Sequence, residues 1–314
     1  MALPENPIMF ANNPLDRAGH LRSDPDWLAG QFASDTALMV PMWRLSPLVL
    51  PEMAPGDGRD VGWLPKAAFA EALRPDSLVI FLGLNRRGKP LFAVDISHMS
   101  NPEDIGPFKG LGVFEDLRAL AAVGDMARTE LAILAQAKGM LDWNMRHGFC
   151  AQCGAASTQA EGGYKRVCGA CQSEHFPRTD PVVIMLATHG EDCLVGRQKG
   201  WPENMFSALA GFMEPGETIE EAVARELMEE AGIGVNAVRY MGAQPWPFPG
   251  SLMIGCIADA SDREINLGDD ELEDAKWISR TEAQSSMAGN GPLGVPPEMA
   301  IAHQLMKAFA EGAA

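Results

Sequence analysis

The sequence predicts an α+β protein in three segments: an N-terminal α+β domain over residues 1–147, a four-cysteine ribbon over 148–176, and a C-terminal domain over 177–314. Three observations predict this. Short apolar runs bounded by Gly, Pro and Asn recur in the first half. Two C-x-x-C pairs follow near the middle of the chain. After Pro177, strand patterns alternate with helical ones, as in a mixed sheet with flanking helices.

Residues 1–36 are rich in Pro, Asn and Asp without sustained periodicity, so an irregular leading segment is expected. Ala37–Val40, Leu48–Leu50, Leu78–Leu84 and Leu91–Ile96 read as strands of a small sheet, the last two flanking the turn Asn85-Arg86-Arg87-Gly88. Asp125 is placed to cap the next helix, where Leu131, Leu134, Ala135 and Leu141 recur at helical spacing up to His147. Nothing here points to chemistry, which leaves packing, dimerisation or the shaping of a substrate pocket. In the C-terminal domain the expected strands are Pro181–Thr188, Cys193–Arg197, Phe206–Phe212, Val235–Ala243, Leu252–Ala258 and Ala275–Ile278. Helices are expected at Thr218–Ala231 and Pro297–Ala310. The sequence shows no internal repeat.

The 25 Lys and Arg against 42 Asp and Glu give a net charge of −17, which argues against broad, non-specific nucleic-acid binding. A phosphate-bearing substrate has to be recognised locally, with metal ions supplying positive charge. No apolar run is long enough to span a bilayer. Met1 to Asn13 lack both the basic start and the apolar core of a secretory signal, so a cytoplasmic site is expected.

Of six cysteines, Cys150 and Cys153 form one pair and Cys168 and Cys171 another, while Cys193 and Cys256 stand alone in apolar runs. That pattern suits a metal site in a reducing compartment rather than a disulfide framework. Four thiolates make a closed tetrahedral site for one structural Zn²⁺ per chain, with no open position for water. The loop between the pairs offers only Lys165 and Arg166 as cations, which favours a scaffold over a nucleic-acid contact.

Residues 211–233 carry the clearest chemistry. Thr218 and Glu221 form a capping-box pattern, Glu220 and Glu221 favour the positive helix start, and Gly232 suits the helix exit. At 100° per residue, Ile219, Ala222, Val223 and Leu227 form the apolar stripe. Glu226 and Glu230 fall inside that stripe and Glu229 at its edge. A solvated acidic face would point the other way. Three inward carboxylates repel one another unless cations sit among them, and hard oxygen donors at this density suit Mg²⁺ or Mn²⁺. Arg225 is placed for Glu229, or for Glu217 in the preceding loop.

At every fixed position this segment resembles the Nudix hydrolase signature, G-x5-E-x7-R-E-U-x-E-E-x-G-U with U aliphatic. The resemblance implies a Nudix fold and cleavage of a pyrophosphate bond in a nucleotide. It implies that Glu226, Glu229 and Glu230, with the Ala210 carbonyl, hold two or three Mg²⁺ or Mn²⁺ ions, and that Gly211, Glu217, Arg225 and Gly232 support the loop. Glu271 matches a downstream acid that acts as a further ligand or base, so the implied catalytic set is Glu226, Glu229, Glu230 and Glu271.

Gln244-Pro-Trp-Pro-Phe-Pro249, with Ser251, is similar to the S-Q-P-W-P-F-P-x-S motif of the NADH pyrophosphatase and NAD-capped RNA hydrolase subgroup. Its prolines are expected to hold Trp246 and Phe248 in a rigid loop, where the rings can stack on a base or nicotinamide. An N-terminal domain, a four-cysteine ribbon and Pro-Pro-Glu-Met-Ala-Ile-Ala-His-Gln-Leu near the C-terminus also belong to that subgroup. The resemblance implies a homodimer acting on NADH or NAD, giving a nicotinamide mononucleotide and AMP, and on the NAD-capped 5′ end of RNA. Substrate contacts are implied at Gln244, Pro245, Trp246, Pro247, Phe248, Pro249, Gly250 and Ser251, and also at Phe176, Phe212 and Ala302. Ala243, Gly250 and Phe176 depart from the subgroup's usual Ser, Gln and Tyr. Two rival readings stand: a Nudix hydrolase for ADP-ribose or dinucleoside polyphosphates, and a zinc-ribbon RNA-binding or regulatory protein without turnover.

Overall fold

A computed structural model describes residues 8–54, 56, 58–268 and 271–313. Contacts divide the chain into two compact units, one holding Phe10–Arg178 with Pro247–Gly250, the other built on Thr179–Trp246 and the chain from Ser251 onward.

The first unit contains α1 (Pro25–Ala33), strands β1 (Leu38–Trp43), β2 (Ser46–Leu50), β3 (Asp60–Val61), β4 (Leu64–Pro65), β5 (Val79–Leu84), β6 (Pro90–Asp95) and β7 (Val113–Phe114), then α2 (Leu117–Val123) and α3 (Arg128–Arg146). The sheet runs β3-β2-β1-β6-β5, with β4 on β1 and β7 on β2. Phe69, Phe81, Phe92 and Phe108 fill its core.

Two sequence expectations fail here. The leading segment is not wholly irregular, because Asp24 accepts hydrogen bonds from the amides of Asp26 and Trp27 and Pro25 opens α1. Asp125 does not cap α3. Its two oxygens accept from Nε and Nη2 of Arg59, at 2.7 and 2.9 Å, and α3 begins after Ala127 with no side-chain cap.

The ribbon belongs to this unit and comprises β8 (Ser157–Ala160), β9 (Lys165–Cys168) and β10 (Glu174–His175), ordered β10-β9-β8. Its tip lies against β5. Gly163 has φ +97°, and a Cβ there would come within 2.5 Å of the Ile80 side chain. Its carbonyl accepts from Asn144 at 2.9 Å, and the Gln159 amide donates to the Val79 carbonyl at 2.5 Å.

The second unit contains β11 (Asp180–His189), β12 (Asp192–Gln198), β13 (Leu209–Phe212), α4 (Ile219–Ala231), β14 (Val235–Trp246), β15 (Ser251–Ala260), β16 (Leu272–Ser279), α5 (Arg280–Met287) and α6 (Ile301–Ala310). Its sheet runs β14-β15-β11-β12-β16, with β13 on β11. Ala222, Val223, Leu227 and Ala231 of α4 are buried against Val183, Met185 and Leu209, and each large apolar side chain removed from water stabilises by about 1.5–3 kcal/mol.

Boundaries shift from expectation for local reasons. β13 starts at Leu209, after an isolated bridge between Ser207 and Gly196. α6 starts at Ile301, because residues 297–300 form a turn closed by the Ala300 amide on the Pro297 carbonyl. α5 was not expected, although Ser279 and Glu282 form a complete capping box at its start. β14 continues through Gln244, Pro245 and Trp246, so only residues 247–250 form the turn of a motif expected to be a loop. Pro245 is tolerated because β14 is an edge strand.

The two sheets share one topology. β1 hairpins antiparallel to β2 and pairs its first residues with β4, while β6 runs parallel along its other edge and hairpins to β5. β11 does the same with β12, β13, β15 and β14. β7 lies on β2 as β16 lies on β12, and two helices follow each. Where the second unit inserts α4 between β13 and β14, the first has a 3₁₀ turn at Lys66–Phe69 after β4. The structure thus contains a repeat that the sequence does not display.

Gly163→Val should destabilise the first unit by at least about 2 kcal/mol, through positive-φ strain and overpacking on Ile80. The check is a thermal or denaturant midpoint with wild-type zinc content; an unchanged midpoint contradicts the docking described here.

Candidate active site and zinc centre

The helix α4 is fixed at both ends. Thr218 Oγ1 accepts from the Glu221 amide at 3.2 Å, and Glu221 returns an acceptor to the Thr218 amide at 2.8 Å. Gly232 closes the helix at φ +69°, its amide donating to the Met228 carbonyl at 3.0 Å, while Ile233 bonds back to Leu227 at 3.1 Å.

Of the three carboxylates expected to face inward, two do. Glu226 and Glu230 are buried, at 9% and 3% exposure, and Glu229 stands at the exposed edge. Glu226 reaches the backbone of β13 at Gly211, where a Cβ would fall 1.9 Å from its carboxyl carbon. Only glycine leaves that cradle open. Ala210, the preceding residue on the same strand, pairs with Ile184 of β11. Glu271 lies just before β16, and its charge acts on Glu226, as does that of Glu229.

Arg225 ties the loop to the helix. Its Nε donates to Glu217 Oε1 at 2.6 Å and its Nη2 to Glu217 Oε2 at 2.9 Å; Nη1 reaches Glu226 at 2.8 Å and Glu229 at 3.0 Å. Nη2 also donates to the Phe212 carbonyl at 2.9 Å. Both partners expected from the sequence are therefore engaged at once. The Arg225 hydrogen bonds, with the Glu214 amide, hold Glu217 down at about 2. Burial pushes Glu226 the other way, above the usual carboxylate range, against the pull of Arg225.

Arg225 thus meets Glu217, Glu226 and Glu229, while Glu230 lies one turn along α4 from Glu226 and the Glu271 charge acts on Glu226. Such an excess of hard oxygen donors around a cradle kept open by Gly211 fits Mg²⁺ or Mn²⁺.

In the ribbon the Sγ atoms of Cys150, Cys153, Cys168 and Cys171 all lie within 4.8 Å of one another, the only such group among the described residues. Cys150 and Cys171 are 3.6 Å apart and Cys153 and Cys168 3.5 Å, close to the ~3.8 Å edge of a tetrahedron with Zn–S bonds of about 2.3 Å. The Gln152 amide points at Cys150 and the Cys171 amide at Cys168. His175, which sequence reasoning missed, places Nε2 3.3 Å from Cys150 Sγ. Arg166 is buried and bonds Ser157 and Asn144, and Lys165 pairs with Glu161 and Glu174, so the ribbon's two cations are engaged within the scaffold.

The substrate motif separates into distinct roles. Gln244 is 1% exposed, and its amide donates to the Met299 and Met9 carbonyls while its oxygen accepts from the Ile301 amide. It therefore pins the start of α6, where Ala302 is buried. Trp246 is half-buried at the end of β14 and pairs in register with Ser251. Pro245 and Pro249 are exposed, Pro247 is buried and Gly250 half-buried. The Phe248 ring packs edge-on to Phe10, with the Arg118 guanidinium 4.5 Å from its centroid. Phe176 and Phe212 expose 60% and 62% of their surface, more than a packing role requires.

Fold and site together define a Nudix-type hydrolase with a structural zinc centre. Comparison with known families agrees: the NUDIX domain matches residues 176–295, the NADH pyrophosphatase zinc ribbon domain residues 146–176, and the NADH pyrophosphatase-like rudimentary NUDIX domain residues 36–143. The last coincides with the repeated topology of the first unit. The chain is 34% identical to NAD-capped RNA hydrolase NUDT12 of Homo sapiens, across 95% of its own length and 72% of the relative's. It is 32% identical to an NAD-capped RNA hydrolase of Schizosaccharomyces pombe, across 98% and 94% of the two chains. It is 35% identical to NAD-capped RNA hydrolase NudC of Mycobacterium bovis, across 94% and 92%. The chain belongs to the Nudix hydrolases, in the family that unites the NADH pyrophosphatases and NAD-capped RNA hydrolases.

Two substitutions separate the centres. Gly211→Ala should lower turnover by about a hundredfold or more, since its Cβ displaces the Glu226 carboxyl, with a far smaller change in thermal midpoint; near-normal turnover would sink the cradle argument. Cys150→Ser should lose most of its zinc, about one ion per chain in wild type, and unfold at lower temperature; full zinc by metal analysis contradicts that.

Proposed function

We propose that the protein hydrolyses the pyrophosphate bond of NADH and NAD to a nicotinamide mononucleotide and AMP, and removes NAD caps from RNA 5′ ends. The observation that carries this is similarity at 32–35% identity to NAD-capped RNA hydrolases over nearly the whole chain, ribbon and rudimentary domain included. The acid set on α4 and at Glu271 is complete and supports turnover rather than a binding role alone.

Glu226, Glu229, Glu230 and Glu271, with the Ala210 carbonyl, would hold two or three Mg²⁺ or Mn²⁺ ions, which would supply positive charge to the phosphate oxygens and acidify water. The chain's own residues do the rest. Arg225 holds Glu217, Glu226 and Glu229 in one arrangement, so that their repulsion is met before substrate arrives. Glu230, buried one helical turn from Glu226, is held from solvent as a ligand or proton acceptor, and Glu271 supplies a further ligand or base. Phe176 and Phe212 offer exposed ring faces for stacking, and Trp246 borders the turn that follows β14. Phe in place of Tyr at 176 keeps the stacking face and gives up a hydroxyl.

A homodimer belongs to the same proposal and rests on the family. So does a cytoplasmic site, supported by cysteines that serve a zinc site or lie buried as thiols, Cys193 and Cys256, instead of pairing in disulfides.

Product analysis with NADH, NAD, ADP-ribose and NAD-capped RNA side by side is the test. Expected products are AMP with nicotinamide mononucleotide, or the mononucleotide with 5′-monophosphate RNA. A marked preference for ADP-ribose refutes the substrate assignment. Glu230→Gln should lower turnover by at least about two orders of magnitude at saturating metal while the fold is kept; unchanged turnover removes Glu230 from the machinery.

A further inference from the structure

The first unit carries a cavity of about 470 Å³ that hydrolysis leaves unexplained. Trp63, Arg86, Arg87, Lys89, Thr129 and Glu130 line it, bringing together the tip of the β5–β6 hairpin and the start of α3. The tip is well fixed: Asn85 Oδ1 accepts from the amides of Arg87 and Lys89 at 2.9 and 3.0 Å, and the Asn85 amide donates to the Lys89 carbonyl at 2.9 Å. Arg86, Arg87 and Lys89 make no ion pair with any described carboxylate. On a chain of net charge −17, three unpaired cations within four residues make a local anion site. Beside them α3 begins without a side-chain cap, and Thr129 and Glu130 of its first turn line the same space.

Trp63 and the first turn of α3 bring different chemistry to the lining. Trp63 Nε1 donates to Glu130 at 2.9 Å, which presents the indole and the carboxylate together. Glu130 is half-buried, and burial raises it above the usual carboxylate range in spite of that bond. It offers an acceptor to a hydroxyl or N–H.

The topological repeat gives this place a meaning. β5, β6 and α3 stand in the first unit where β14, β15 and α6 stand in the second, and the β14–β15 hairpin and the start of α6 carry the family's substrate motif. What the first unit lacks is α4, replaced by the Lys66–Phe69 turn, and with it the acids for cleavage.

We propose that this cavity binds a 5′-nucleotide without hydrolysing it. The phosphate meets Arg86, Arg87, Lys89 and the start of α3; the base lies against Trp63; a ribose hydroxyl or base N–H meets Glu130. A free mononucleotide and a nucleotide within an RNA strand present the same chemistry.

The experiment uses the full chain without added divalent ions, titrated with AMP and, separately, with a short single-stranded RNA. The wild type is compared with an Arg86→Ala/Arg87→Ala double variant. Both side chains are exposed, so the thermal midpoint and NADH turnover of the variant should match wild type. Loss of about tenfold or more in AMP affinity supports the site with a free nucleotide as occupant. An equal loss confined to the RNA supports it with an RNA strand. Equal binding by wild type and variant to both probes, or no binding by wild type to either, overturns it. Photocrosslinking with 8-azido-AMP should label peptides containing Trp63 or residues 85–89; labelling only elsewhere overturns it too. None of these readouts needs turnover, so the proposal and the hydrolase reading fail separately.

Discussion

Arg225 is the contact on which the catalytic unit depends. Buried or crowded carboxylates repel and desolvate at a cost, and Glu226 and Glu230 sit one helical turn apart on the apolar side of α4. A helix with those residues on that face should shift its register or bind cations. Arg225 keeps it in place by joining Glu217 in the loop, Glu226 and Glu229 on the helix, and the Phe212 carbonyl on β13. One side chain thus locks loop, helix and strand. Breaking the pair from either side would leave an uncompensated charge, generally worse than never having buried it.

The same sheet topology is used twice with opposite outcomes. In the second unit the connection from β13 to β14 is long enough for a capped helix, and every acid of the site but Glu271 lies in it. In the first unit the corresponding connection makes only a 3₁₀ turn, yet the hairpin and the following helix persist. A fold does not carry a function by itself. Here the insertion carries the cleavage chemistry, and the sheet supplies only the positions from which side chains act.

The sequence made α4 legible because its capping box, its glycine exit and its period of 3.6 agreed with one another. The zinc cysteines were legible because spacing alone specifies them. Other features were hidden for identifiable reasons. α1 has Asp24 before Pro25, a sound helix start, within a polar stretch that gave no periodicity. Asp125 looked like a cap, but Arg59, distant in sequence, outcompetes α3 for it. Gln244 reads as part of a substrate motif, yet its partners Met299 and Ile301 become visible only once α6 is packed. The repeat is invisible because strand pairing, not residue identity, defines it. Trp63, Arg86 and Glu130 meet only through the sheet, so no local window reveals their cavity.

An acidic protein that handles phosphates must make its positive charge local. At physiological ionic strength the Debye length is about 8 Å, so the net charge of −17 is screened beyond roughly that distance and the charges close to a phosphate decide whether it stays. A surface with more acids than bases then disfavours nucleic acid that has no specific contact to make. In the proposed mechanism, metal ions held by the acids of α4 would answer this for the reacting pyrophosphate. In the first unit the cations of the β5–β6 tip lie in consecutive or nearly consecutive positions, held by Asn85 and unneutralised by any described acid. Positive charge met only at a contact, on a chain of net charge −17, discriminates by contact rather than by general attraction, which is what a hydrolase needs when its substrates share their phosphates with most of the nucleotides around it.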